Sequence, residues 1–168
     1  MRSRLEIEIG APPSLVYALV RDPERWPELL PHYARAHVVR LESDGVRTIE
    51  FVARRPLLGW LGVGFPVAWR ARTWSDQTAL TVDFRHAGGA TGGMQVTWRI
   101  EPATGGCRAS IEHELQGEAY ARLLHRLFIR PIAGRTLATF KALAESLVDL
   151  PLAGAVESTP SSPTNLAT

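Results

Sequence analysis

The sequence predicts an α+β domain: a curved seven-stranded antiparallel sheet wrapped around a long C-terminal helix, with two short helices after strand 1. Three observations carry this. Seven segments alternate apolar and polar residues at the period of a half-buried strand, most of them separated by a few turn residues. From Gly117 the period becomes helical and stays so to about Leu147. Between the first helix and the second strand lies Trp26-Pro27-Glu28-Leu29-Leu30-Pro31-His32-Tyr33, too apolar for a solvated loop and too short to form a core of its own. It reads as a plug at one end of a hollow.

Residues 3–9 form the first strand, which Ala11-Pro12-Pro13-Ser14 ends. A helix follows over about 13–21, with Leu15, Val16, Leu19 and Val20 on one stripe and Asp22-Pro23 as its stop. The plug supplies the second short helical turn. Strands come next at 35–42 and 46–54 across Ser43-Asp44-Gly45, and at 66–75 and 78–86 around Ser75-Asp76-Gln77. The last two, at 93–101 and 107–115, flank Ala103-Thr104-Gly105-Gly106. Tight turns between consecutive strands make the sheet antiparallel. In the final helix Leu123, Leu124, Leu127 and Phe128, then Leu137, Phe140, Leu143, Ala144 and Leu147, recur at three- and four-residue spacing. Pro131 and Gly134 predict a kink near 130–134. Residues 1–150 make one domain, and 151–168, rich in Pro, Ser, Thr and Ala, read as a disordered tail.

Composition narrows the function. Apolar residues make up 45% of the chain, no run approaches the roughly 18 residues of a membrane span, and the first residues alternate rather than form a signal-peptide core. A cytoplasmic location is expected. The single cysteine, Cys107, excludes an internal disulfide and a cysteine-based metal cage. The net charge is only +2, and all nineteen basic residues except Lys141 are arginine. They are scattered, with only Arg54-Arg55 adjacent and no basic helix face, so no nucleic-acid partner is expected. Gly88–Gly93 lacks the Gly-Lys-Ser/Thr of a phosphate loop, and neither a nucleophile elbow nor a His-Glu-x-x-His zinc motif occurs. The five histidines are not spaced for a metal site, so neither metal nor cofactor is expected.

Strand alternation sorts the side chains. Inward rows are Ile49 and Phe51; Val67, Trp69, Ala71 and Thr73; Leu80, Val82, Phe84 and His86; Met94, Val96, Trp98 and Ile100; and Cys107, Ala109, Ile111, His113 and Leu115. Arg70, Arg72, Asp83 and Arg85 point outward. With Trp26, Leu30 and Tyr33 from the plug, the interior is rich in aromatic rings and sparing in polar groups. That combination suits flat conjugated ligands. Plainer roles stand beside this one. His113 serves equally as a core histidine satisfied by backbone, Tyr33 as a cap on the mouth, and His86, beside a glycine-rich loop, as an exposed ring. The apolar, glycine-rich segment 54–66 reads as a buried cross-sheet connection, as a lid with glycine hinges, or as a membrane contact without insertion.

Ala11-Pro12, Trp26-Pro27-Glu28-Leu29-Leu30 leading to Tyr33, and the strand Met94-Gln95-Val96-Thr97-Trp98 before a Gly-Gly turn carry a resemblance. Over about residues 3–148 the chain resembles the helix-grip superfamily of START-related and birch-pollen-allergen-like proteins. Within it the chain looks most like polyketide cyclase/aromatases and coenzyme-Q-binding proteins. The resemblance implies a small hydrophobic ligand (a polyketide, quinone or lipid) in an internal cavity. One expected function is a polyketide cyclase/aromatase that promotes aldol cyclisation and dehydration, with Tyr33 and His113 as catalytic groups. Trp26, Leu30, Phe51, Trp69, Thr73, Phe84, His86, Met94, Val96, Trp98 and Ile111 would then bind substrate, and an acyl carrier protein would meet Arg54-Arg55 and Arg70/Arg72. The alternative is a carrier for a quinone, isoprenoid or lipid, without chemistry. Related cyclases carry an inward arginine on the strand of Trp69. Here the matching position is Thr73, and Arg72 turns inward only if a one-residue bulge intervenes.

Overall fold

The structure, a computed structural model, describes residues 1–58, 63–88, 91–116 and 119–150. The expected tail 151–168 lies outside the described residues. The elements are β1 (Arg2–Ile9), α1 (Pro13–Val20), a 3-10 turn (Pro23–Arg25), α2 (Trp26–Leu29), β2 (Tyr33–Leu41), β3 (Arg47–Leu58), β4 (Val63–Asp76), β5 (Thr81–His86), β6 (Gln95–Ala103) and β7 (Gly106–Glu114). Then come α3 (Ala119–Leu124), a π turn (His125–Ile129) and α4 (Arg130–Asp149). The seven strands form one sheet in the order β1-β7-β6-β5-β4-β3-β2, every neighbouring pair antiparallel. This is the curved sheet around a C-terminal helix that the alternation and the turns predict.

Alternation divides the sheet into two chemically distinct faces. Ile49, Phe51, Phe84, Trp98 and Ile111 are buried on the inner face. The outer face carries ion pairs between neighbouring strands, such as Arg4 with Glu112, Arg70 with Glu50 and Arg108 with Glu8. Helix α4 answers the inner face with Ala133, Thr136, Leu137, Phe140 and Ala144, a stripe at three- and four-residue spacing. Its C-terminal half is fastened to β1: Glu145 accepts the Gly10 amide at 2.8 Å and the Lys141 ammonium at 2.6 Å, and Lys141 also donates to the Glu8 carbonyl at 2.8 Å. At Gly106 no side chain is possible, because a Cβ would run into the Ile9 carbonyl oxygen.

Four departures from the sequence expectation have local causes. Strand β5 begins at Thr81 rather than residue 78, because the Asp76 carboxylate accepts the Thr78 and Ala79 amides and Leu80 turns the chain at φ +50°. Strand β2 begins at Tyr33, with a bulge between Tyr33 and Arg35 that seats the Tyr33 ring inside. The 54–66 segment is not a buried cross-sheet connection. Pairing between β3 and β4 continues from Arg54↔Pro66 to Leu58↔Val63, so it is an extended hairpin, and residues 59–62 lie outside the described residues. The helix kink becomes a π turn just before Pro131, closed by the Arg130 amide on the His125 carbonyl. Proline has no N–H for the preceding turn and its ring crowds the carbonyl four residues back, which a widened turn relieves.

Candidate functional site

Between the concave sheet and the α3–π–α4 helix lies a cavity of about 570 Å³, within the range of small-molecule sites. Its closed end is built on Trp26. Prolines 23 and 27 hold the two short turns that place it, and its indole N–H donates to the Val20 carbonyl at 3.2 Å. Around it stand Tyr33, Phe84, Trp98 and Phe140, with ring centroids 5.2 to 5.8 Å away. The opposite, open end is flanked by Phe65 and Pro66 of the β3–β4 hairpin, by Ala87 and Gly88, and by Leu124 and Phe128 on the helical side.

One wall is a ladder of parallel rings. Phe51 and Trp69 face each other across β3 and β4, with centroids 5.2 Å apart and planes 14° apart. Trp69 then stacks on His86 at 6.0 Å and 3°. His86 is therefore buried rather than exposed beside its loop, and its Nδ1 shares a 2.8 Å hydrogen bond with the Thr91 hydroxyl. Burial lowers its pKa to about 4. Across the cavity His113 is buried as well, and its pKa falls to about 3 through desolvation, reinforced by His125 and His86. Its Nδ1 is sealed from solvent without a hydrogen-bond partner, as is Nε2 of His125 on the π turn, and the two rings meet edge to face at 6.5 Å. At neutral pH these imidazoles are uncharged.

The third polar group is a small network. The Thr136 hydroxyl donates to the Ile132 carbonyl at 2.8 Å, its oxygen shares a 2.9 Å hydrogen bond with Nε2 of His32, and Tyr33 is hydrogen-bonded to it as well. Thr136 has only one proton, so with that proton on the Ile132 carbonyl its oxygen accepts from Nε2–H of His32. Burial pushes the Tyr33 hydroxyl above its ordinary range, the hydrogen bond with Thr136 offsetting part of the effect. His32 is held at about 4, by desolvation first and by Arg135 second.

Eleven of the sequence-predicted site residues come together on this wall: Trp26, Tyr33, Phe51, Trp69, Phe84, His86, Met94, Val96, Trp98, Ile111 and His113. Leu30 and Thr73 do not. Both are fully buried without lining the cavity, Leu30 within the plug and Thr73 opposite Arg47, whose guanidinium bonds back to the Arg21 carbonyl and to Glu24. No bulge turns Arg72 inward: β4 pairs in unbroken register on both sides of it, and Arg72 is held outside by Glu42 at 2.7 Å. Arg70 is likewise taken up by Glu50 at the rim, at 2.8 Å. Neither is a free cation for an acidic partner. Arg54 is exposed, and the Arg55 side chain lies outside the described residues. Among the described residues no group of three His, Cys, Asp or Glu side chains is placed to hold a metal.

Sequence reasoning missed Thr136, His32 and Thr91, and the helical lining Leu124, Phe128 and Ile132. A polar residue at position 136, inside an otherwise apolar helical stripe, is the signal that was there to read.

A family described as polyketide cyclase / dehydrase and lipid transport matches residues 2–148, and the chain belongs to it. Among solved structures, a protein from Thermus thermophilus is 25% identical, with TM-score 0.63, covering 88% of this chain and 97% of that one. The Zhui aromatase/cyclase from a Streptomyces species is 14% identical, with TM-score 0.68 over 88% of this chain and 95% of that one. A START superfamily protein from Mycobacterium smegmatis is 11% identical, with TM-score 0.64 over 87% and 98%. At such identities the last two establish the helix-grip fold. No curated protein matches the sequence.

Proposed function

We propose that this protein is a binding protein for an uncharged, flat, hydrophobic molecule of the quinone or cyclised-polyketide kind, held in the cavity without chemical change. One observation carries the reading: the buried titratable groups of the lining, His86, His113 and Tyr33, are neutral at physiological pH. Burial lowers His86 to about 4 and His113 to about 3, and pushes the Tyr33 hydroxyl upward. A general base works best with a pKa near the operating pH, and these groups are far from it. What they can do is donate or accept one hydrogen bond each and so orient a carbonyl or hydroxyl on a ring system. The stacked Phe51–Trp69–His86 ladder supplies the flat apolar surface such a ring needs.

Burying a carboxylate against these walls would leave its charge unpaired, which is costly. The test is a matched pair of probes, menadione and 2-naphthoate, titrated against the tryptophan fluorescence. The neutral quinone is expected to bind at least roughly tenfold more tightly than the acid. Equal affinity, or a preference for the acid, would overturn the reading.

The cyclase reading has one observation in its favour. Neutral imidazoles can polarise a carbonyl by hydrogen-bond donation, and a narrow aromatic cavity can fold a poly-β-ketone into a reactive geometry. It calls for reconstitution with a carrier-tethered substrate. Product made by the wild type and lost in a combined Tyr33→Phe and His113→Ala variant would establish it in place of the binding role.

A further inference from the structure

The arginines that look scattered in the sequence are not scattered in space. From Ala119 to Ala144 the chain has no acidic residue but carries Arg122, Arg126, Arg130, Arg135 and Lys141. These five hold the whole positive balance of the protein: without them 14 basic residues stand against 17 acidic ones. Arg122, Arg126 and Arg130 recur every four residues along α3, the π turn and the start of α4, and all three are exposed. None has an ion-pair partner among the described residues, whereas Arg2, Arg4, Arg70, Arg72 and Arg108 on the outer face of the sheet are all paired. The expectation of no basic helix face is corrected here.

Between these arginines sit Leu123, 58% exposed, and Leu127, 37% exposed. Across the mouth Phe65 is 54% exposed, within a stretch, Pro56 to Trp69, without a single charged residue. Phe65 also lines the cavity, and so do Leu124 and Phe128, the sequence neighbours of the exposed leucines. The apolar surface outside and the apolar wall inside are therefore continuous through the mouth.

We propose that the mouth of the cavity docks on an anionic lipid surface. The three arginines would sit at the headgroups, and Leu123, Leu127 and Phe65 would enter the boundary with the acyl chains. Exposed leucines alternating with unpaired arginines on one helix face are what such a surface selects. A purely ionic partner has no use for the leucines, and an apolar protein groove has none for the arginines. The consequence is a transfer route: a water-insoluble molecule passes between bilayer and cavity without crossing water. The proposal does not rest on which molecule the cavity holds, and no helix among the described residues is long and apolar enough to cross a membrane.

The experiment is flotation of the full chain with vesicles of phosphatidylcholine alone or mixed with phosphatidylserine. Binding to the mixed vesicles only is expected, with each arginine neutralised weakening it about fivefold. The triple variant Arg122→Gln, Arg126→Gln, Arg130→Gln and the double variant Leu123→Ser, Leu127→Ser should both lose binding. These side chains are exposed, so the fold should survive, and circular dichroism checks that. A charge-matched control, Arg35→Gln, Arg40→Gln, Arg85→Gln, removes three exposed arginines of the sheet and should bind as the wild type does. No binding to anionic vesicles would overturn the proposal, as would equal loss in the control. Arginine-dependent capture of an acidic acyl carrier protein, with vesicles ignored, would assign the face to a protein instead. Ligand affinity in solution is measured separately, so failure of docking and failure of the cavity reading are distinguishable.

Discussion

The two ends of the cavity are built on opposite principles. At the closed end every device adds order: proline-held turns, the Trp26 cluster, Arg47 tied to the plug, and α4 fastened to β1 through Lys141 and Glu145. At the open end the described features are exposed apolar side chains, a π turn, unpaired arginines and two imidazole nitrogens without partners. Stability is concentrated where the chain closes on itself, and unmet interactions accumulate where something else must arrive. Unsatisfied buried groups in a folded protein call for such an explanation.

The sharpest way to break this contrast is to hollow out the closed end. Trp26→Ala removes the ring that touches Tyr33, Phe84, Trp98 and Phe140, and should cost about 3–5 kcal/mol in urea unfolding. Phe65→Ser at the open end should change stability by less than about 0.5 kcal/mol, because its side chain is already largely in solvent. Similar losses for the two would mean that the ends do not differ as described.

Acid should act through the histidines. The folded-state values of His86 and His113, about 4 and about 3, lie below the ordinary 6.5, so between these values the unfolded chain binds more protons. The stability they contribute is complete above pH 6.5 and is lost as pH falls toward 4. The slope is on the order of 1 kcal/mol per pH unit for each histidine that stays neutral. A combined His86→Gln and His113→Gln variant should flatten urea-derived stability between pH 6.5 and 4.5. An unchanged slope would show that neither ring is held neutral by the fold.

Much of this architecture was legible. Period-two alternation gave the inner face and hence nine of the eleven wall residues, since the pleat itself decides which way each side chain points. Alternation says nothing of how far a plug reaches along the sheet, and for that reason Thr73 was expected on the wall yet lies outside the lining; Leu30, in the plug itself, is fully buried without lining the cavity. The continuing β3–β4 hairpin was missed because glycine and proline read as loop residues, although strand pairing runs past them. The basic face was missed because its residues are neighbours only on a helix, four apart and across a π turn where the sequence signalled no more than a kink. Thr136 escaped for a different reason: one threonine in an apolar stripe looks like a filler until the imidazole and phenol it serves are brought to it by the plug.

That residue gives the finest probe of the boundary between the two ends. Thr136→Val keeps the shape of the side chain and removes the oxygen to which His32 and Tyr33 are hydrogen-bonded. Two buried polar groups then lose that partner, at a cost of about 1–3 kcal/mol in urea unfolding. Thr136→Ser, which keeps the hydroxyl, should recover most of it. The decisive readout is the ¹⁵N spectrum of the His32 ring. In the wild type the proton sits on Nε2, because the Thr136 proton is committed to the Ile132 carbonyl. In the valine variant nothing holds it there, and the two tautomers should both appear. If Nε2 stays protonated to the same degree, Thr136 is only packing, and the network that engages Tyr33 would have to be drawn without it.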